Sequence, residues 1–157
     1  MLKQVSFIFF FVLSCYMGAE SRVLKHLTNE LQVNVGVNRV WELYRHLGIS
    51  RLTAQQLQNV IQNVQVLEGN SSYTERFIVI NDEKKVKVAK GLEGGCLAIG
   101  CSVQIVQFDI IEKRKDSCII RSDIAYAVKK EFEANDPKPN IQLLAAAAQI
   151  AKRFLES

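Results

Sequence analysis

The chain has 157 residues, of which 48% are apolar and 23% charged. That composition suits one globular domain and excludes a disordered or collagen-like chain. The formal net charge of +4 comes from 20 Lys/Arg interspersed with 16 Asp/Glu, with no long basic run, so no nucleic-acid partner is expected.

Residues 1–18 read MLKQVSFIFFFVLSCYMG. Lys3 supplies a positive start, 5–13 is apolar apart from Ser6, and small residues follow at Gly18 and Ala19. This three-part pattern predicts a secretory signal peptide over 1–18 and a domain over 19–157. The apolar run is too short to span a bilayer, and no later segment predicts a stable membrane span. Cleavage would place the protein in the secretory route; retention would leave it cytoplasmic.

Residues 23–35 alternate loosely and predict a strand. Val37, Val40, Trp41 and Tyr44 recur at helical spacing and predict a helix ended by His46, Leu47 and Gly48. Thr53-Ala-Gln-Gln56 resembles a capping box and opens a second helix with Leu57, Val60 and Ile61 on its apolar face. Residues 64–67 predict a short strand and 68–72 a loop. From Tyr73 the period changes to two. Strands are expected over 73–80 and 84–92, joined by Asn81-Asp82-Glu83, and over 98–112 and 117–129, joined by 113–116. After a linker at 135–140, residues 141–155 form the strongest helical pattern. Its narrow polar stripe predicts burial over most of the circumference.

Helices segregated in sequence from an antiparallel run predict an α+β fold: a curved sheet of about six strands around a long C-terminal helix, with two short helices. The space between sheet and helix is the default site for an apolar ligand.

Four cysteines are present. Cys15 falls in the signal segment, and Cys96, Cys101 and Cys118 form an odd set that predicts three small, partly buried thiols rather than a disulfide framework. On a single strand, Cys96 and Cys101 would face opposite ways. The sequence has no P-loop, H-E-x-x-H or C-x-x-C motif, and its two histidines are His26 and His46. No metal site or cofactor is expected.

The element order resembles the birch-pollen-allergen (Bet v I-type) or pathogenesis-related class-ten family of plants, a helix-grip fold. Tyr73-Thr-Glu-Arg-Phe77, Glu93-Gly-Gly95, Lys115-Asp-Ser-Cys-Ile-Ile120 and Tyr126-x-Val-Lys-x-Glu-Phe132 are similar to segments of plant norcoclaurine synthases, as is the N-terminal signal. The stretch 52–69 is also similar to norbelladine synthases. The resemblance implies a lyase of alkaloid biosynthesis that joins dopamine to 4-hydroxyphenylacetaldehyde in a Pictet–Spengler condensation. It implies Lys87, Glu75 and Tyr73 as catalytic residues and Phe77, Val79, Val106 and Phe108 as substrate contacts. The partners would be a small-molecule amine and aldehyde.

Two features depart from the family pattern. Val106 stands where the family has an aspartate, and Asp109, three residues on, has the wrong parity to replace it. Asn70-Ser71-Ser72 leads almost directly into Tyr73, so about one strand and its loop are absent. Other branches of the family bind small apolar metabolites or hormones without catalysis, and that defence-related carrier is the alternative reading. The oligomeric state is open.

The candidate pair also has a geometric requirement. A three-residue loop at 81–83 pairs Ile80 with Lys84. Phe77 then lies opposite Lys87, with Glu75 a diagonal away on one face that also holds Tyr73 and Val79. A loop of the other parity would part Glu75 from Lys87.

Overall fold

The computed structural model of the protein describes residues 23–61 and 73–157. The expected signal segment, the strand at 64–67 and the loop at 68–72 lie outside the described residues, as do the side chains of Leu57, Val60 and Ile61. The period-two segments form strands β1 (Lys25–Val33), β2 (Thr74–Asn81), β3 (Val86–Glu93), β4 (Cys101–Arg114) and β5 (Ser117–Val128). All neighbouring pairs are antiparallel, in the order β1-β5-β4-β3-β2. The α+β architecture is therefore as expected. Five strands lie among the described residues, and the sixth expected one is the segment at 64–67.

The helices cover one face of this sheet. In α1 (Val37–Tyr44) the i, i+3, i+4, i+7 set buries Val40, Trp41 and Tyr44. They meet Val33, Ile110, Cys118 and Ile120 from the sheet and Ala148, Ala151 and Leu155 from the C-terminal helix α4. That helix runs Ile141–Glu156 and is capped by Asn140, whose Oδ1 accepts the Gln142 N–H at 3.0 Å. It is less enclosed than its sequence predicts: Leu143 is 63% exposed and Phe154 52%. Among the described residues, its main contacts are with β1, β5, α1 and the second helix α2 (Gly48–Ile61). These lie against one side and leave the other apolar positions in solvent.

Three local expectations change. Helix α2 runs Gly48–Ile61, so Thr53 lies inside it rather than at its cap. The expected strand start at Ala98 is instead a one-turn helix, α3 (Cys96–Ile99), set by Gly94 and Gly95 at positive φ. A 3-10 turn, Lys130–Asn135, precedes the linker.

The cysteine reading is corrected as well. Cys96 and Cys101 form a disulfide, with Cα atoms 5.2 Å apart. The parity argument assumed one strand, whereas Cys96 opens α3 and Cys101 opens β4. Cys118 remains a free, buried thiol.

The β2–β3 turn is tied to α1 by Asp82. Its carboxylate accepts the Trp41 indole N–H at 2.8 Å and Arg45 Nη2–H at 3.0 Å. Asp82 is more than half exposed, so solvent screens the charge pair and the indole bond carries most of the stabilisation. Asp82→Ala should cost about 1 kcal/mol in urea denaturation, and Asp82→Asn less, because an amide oxygen can still accept from the indole. Equal losses would assign the effect to the charge alone.

Candidate active site

The face of the sheet turned toward the helices carries the site. Lys87 on β3 pairs with Phe108 on β4, and Ala89 pairs with Val106. Lys87 is buried at 2% exposure. Its Nζ lies 4.7 Å from the centre of the Phe77 ring and 5.3 Å from that of Phe108, and it donates to the His46 carbonyl oxygen at 3.0 Å. Two aromatic faces and one neutral acceptor replace water around the amine. No carboxylate among the described residues comes within ion-pair distance of it. Burial holds the Lys87 pKa below the usual lysine value, and the Glu75 carboxylate opposes this at longer range.

The route by which Glu75 and Phe77 reach this face differs from the expected one. Asn81 pairs with Val86 and Ile80 with Lys87, leaving four residues in the turn. Continued unchanged, that register would carry Glu75 to the opposite face from Lys87. A β-bulge between Phe77 and Val79 adds one residue, so that Phe77 pairs with Ala89 and Glu75 with Gly91. The bulge restores Phe77 and Glu75 to the Lys87 side.

Val79 precedes this correction in the pairing from the turn, and its expected place is overturned. It pairs with Val88 and packs with Val88, Ile105 and Ala125 on the other face. Asp109 also faces that way, as its parity predicts, opposite Val86 and Arg121. It is buried, and Gln107 Nε2 donates to both its carboxylate oxygens at 3.0 Å. Burial raises its pKa, against the opposing effects of Gln107 and Arg121.

Tyr73 stands beside Glu75, with its ring partly in solvent. Burial and the adjacent Glu75 carboxylate, through its charge and as a hydrogen-bond acceptor, raise the phenol pKa, and the Gln104 amide opposes them. Gln104 is a buried residue on β4 at the parity of Val106 and Phe108. Its Oε1 accepts the Cys96 N–H at 2.9 Å. The readable signal for it was a lone amide at an inward position of an otherwise apolar row. The His46 carbonyl had no sequence signal, because any residue there offers one.

Tyr73, Glu75, Phe77, Lys87, Val106 and Phe108 thus share one face. A base and an acid flank aromatic surface there, an arrangement suited to moving protons on an apolar or aromatic ligand. Among the described residues no three His, Cys, Asp or Glu side chains gather as a metal site requires, and no helix is long and apolar enough to cross a membrane.

The norbelladine synthase of Narcissus pseudonarcissus is 32% identical over 127 residues, covering 69% of this chain and 78% of that protein. The chain belongs to the Bet v I-type family that includes this synthase. S-norcoclaurine synthase 2 of Papaver somniferum is 33% identical over 134 residues, or 74% of this chain, but the match spans only 58% of the poppy protein. Truncated norcoclaurine synthase of Thalictrum flavum superposes with a TM-score of 0.70 at 26% identity, over 90% of this chain and 99% of that one. A second structure of that enzyme, in complex with dopamine and hydroxybenzaldehyde, gives 0.65 at 21% identity, over 89% and 94%. No family model matches the sequence. The Bet v I-type fold accounts for the sheet, the paired short helices and the long C-terminal helix.

Proposed function

We propose that the protein is a norcoclaurine-synthase-like lyase of alkaloid biosynthesis that condenses dopamine with 4-hydroxyphenylacetaldehyde. The observation that carries this reading is the buried Lys87 amine between Phe77 and Phe108, on the same face as Glu75. Condensation of amine and aldehyde first gives a carbinolamine. Lys87, as ammonium, donates a proton to its hydroxyl, which leaves as water and gives the iminium ion. A catechol ring carbon then attacks the iminium carbon, and Glu75 takes the proton released from that ring carbon. The lowered Lys87 pKa makes its ammonium a stronger acid than a solvated lysine, which eases proton donation to the carbinolamine. Tyr73 positions the catechol by its hydroxyl.

Incubation with dopamine and 4-hydroxyphenylacetaldehyde, followed by chiral analysis, tests the reading. A single enantiomer in excess supports it, and a racemic product at the buffer rate overturns it. Glu75→Gln should slow ring closure by about 10²-fold or more while leaving imine formation largely intact, because only the second stage needs that base. Equal slowing of both stages would remove the assigned role.

A second reading rests on a specific residue. Val106, with Ala89 and Ile124 beside it, presents an apolar wall where the family has an aspartate. That wall favours a non-catalytic carrier of a small apolar metabolite. Tight binding of an apolar ligand together with a racemic condensation product would establish it.

A further inference from the structure

A buried amide and a disulfide lie beside the candidate pair and have no part in the proton transfers. Gln104 has a near neighbour on each of three sides. Its Oε1 accepts the Cys96 N–H at 2.9 Å. Its amide packs beside the Tyr73 ring, both meeting at Gly95, where an added Cβ would stand 3.4 Å from Nε2 and 3.3 Å from Tyr73 Cδ2. Its backbone oxygen lies 3.3 Å from where a Cβ on Gly91 would stand. Because Oε1 is already held by a donor, the amide orientation is fixed, and Nε2 is the atom left to face Tyr73.

Cys96 is held in turn. It opens the one-turn helix α3, and its disulfide to Cys101 closes that helix onto the start of β4, three residues before Gln104. The disulfide packs against Tyr126, with Leu27, Leu97 and Val128 around it.

Gly95 allows the close approach. A Cβ there would stand 3.1 Å from Gln104 Oε1 and 3.3 Å from a Tyr73 ring carbon, and its φ of +53° favours glycine. Disulfide, Cys96 amide, Gln104, Tyr73 and Glu75 thus form a connected series ending at the site.

We infer that Gln104 is a positioning residue that orients the Tyr73 hydroxyl toward the substrate, and that the Cys96–Cys101 disulfide holds Gln104 in place. This rests on the proposed reaction only for its kinetic consequence. The structural claim is that Tyr73 loses its fixed setting when either Gln104 or the disulfide is lost. A one-turn helix has too few internal hydrogen bonds to persist alone, so reduction to two thiols by a dithiol frees the Cys96 amide from Gln104.

The test uses the full chain labelled with 3-fluorotyrosine, with the Tyr73 resonance identified by its absence in Tyr73→Phe. Gln104→Met keeps the side-chain volume and removes the amide that holds the Cys96 N–H and faces Tyr73. The expected result is a shifted or broadened Tyr73 resonance in Gln104→Met, and the same change in the parent protein after dithiothreitol, with the Tyr44 resonance unmoved in both. If Gln104→Met does not fold, the dithiothreitol arm and Cys96→Ala/Cys101→Ala decide the matter by the same signal. In turnover, Gln104→Met should raise KM about tenfold, the worth of one hydrogen bond that orients substrate, with kcat changed much less.

An unmoved Tyr73 resonance in Gln104→Met and after reduction overturns the inference. A moved resonance in a protein that makes only racemic product defeats the proposed reaction and leaves the positioning role standing. A moved resonance with unchanged KM in an active protein removes the link to substrate.

Discussion

Lys87→Ala should abolish stereoselective condensation, lowering the rate by about 10²–10⁴-fold, the usual worth of a lost general acid. The expectation follows from the amine's isolation. No carboxylate among the described residues lies within ion-pair distance, and the neighbours are two aromatic rings and the His46 carbonyl. Full rate and enantiomeric excess in a correctly folded Lys87→Ala sample would move catalysis elsewhere or favour the carrier.

The same burial predicts a gain in stability when the charge is removed. Lys87→Met keeps the apolar stem and should raise stability at neutral pH by about 1 kcal/mol or more, because the buried ammonium carries a desolvation cost that an apolar group does not. The effect has a defined pH dependence. The folded-state pKa lies below the ordinary lysine value of 10.5. Between the folded value and 10.5 the unfolded chain therefore holds more protons than the native one. Wild-type stability contributed by this group rises with pH through that window, and the penalty is fully present below it. The advantage of Lys87→Met should shrink as pH climbs toward 10.5. Denaturant midpoints measured across the window check this, and an advantage that does not change with pH would assign the gain to packing.

Gly100→Ala should be the most damaging single-methyl change in the β-rich half of the chain. Gly100 has φ +125°, and an added Cβ would stand 2.6 Å from Phe132 Cγ and 2.8 Å from Phe132 Cβ. Its carbonyl accepts the Lys129 N–H at 2.9 Å, which pins the segment after β5 against the residue before β4. Backbone strain and ring displacement together should cost roughly 3 kcal/mol. Gly100→Ala/Phe132→Ala should lose less than the sum of the two single changes, because only the collision with the ring is relieved. Urea midpoints of the four proteins measure the difference. Strict additivity would place the whole cost in the backbone.

Much of the fold was legible because hydrophobic period and burial agree. The change from 3.6 to 2 after Tyr73 separates the helices from the meander, and α1 buries the residues its spacing selects. The candidate face was legible for a less secure reason. The expected pairing of Phe77 with Lys87 is not formed, and Glu75 shares the face only because a bulge at Ile78 offsets the longer turn. Neither change alters the alternation of residue types, so sequence period is blind to both, while Val79 is carried to the other side. The disulfide was hidden for a related reason. Parity governs two cysteines on one strand, but Gly94, Gly95 and Gly100 fold their segment into a helical turn. The enclosure of α4 was overestimated because a helix's apolar pattern does not say how many neighbours come to meet it.

Cys118 gives the fold a reporter of its own. Its sulfur sits where β1, β5 and the helices meet, and burial raises its thiol pKa to about 11, which leaves little thiolate at neutral pH. An alkylating reagent must therefore wait for the core to open. The residues packed around it include none from the β2–β3 turn or α3. Mass-resolved labelling without reductant, read on the peptide that carries Cys118, should follow a single slow phase whose rate tracks the global unfolding equilibrium across denaturant. A faster, denaturant-independent phase would locate a hinge between the helices and the sheet.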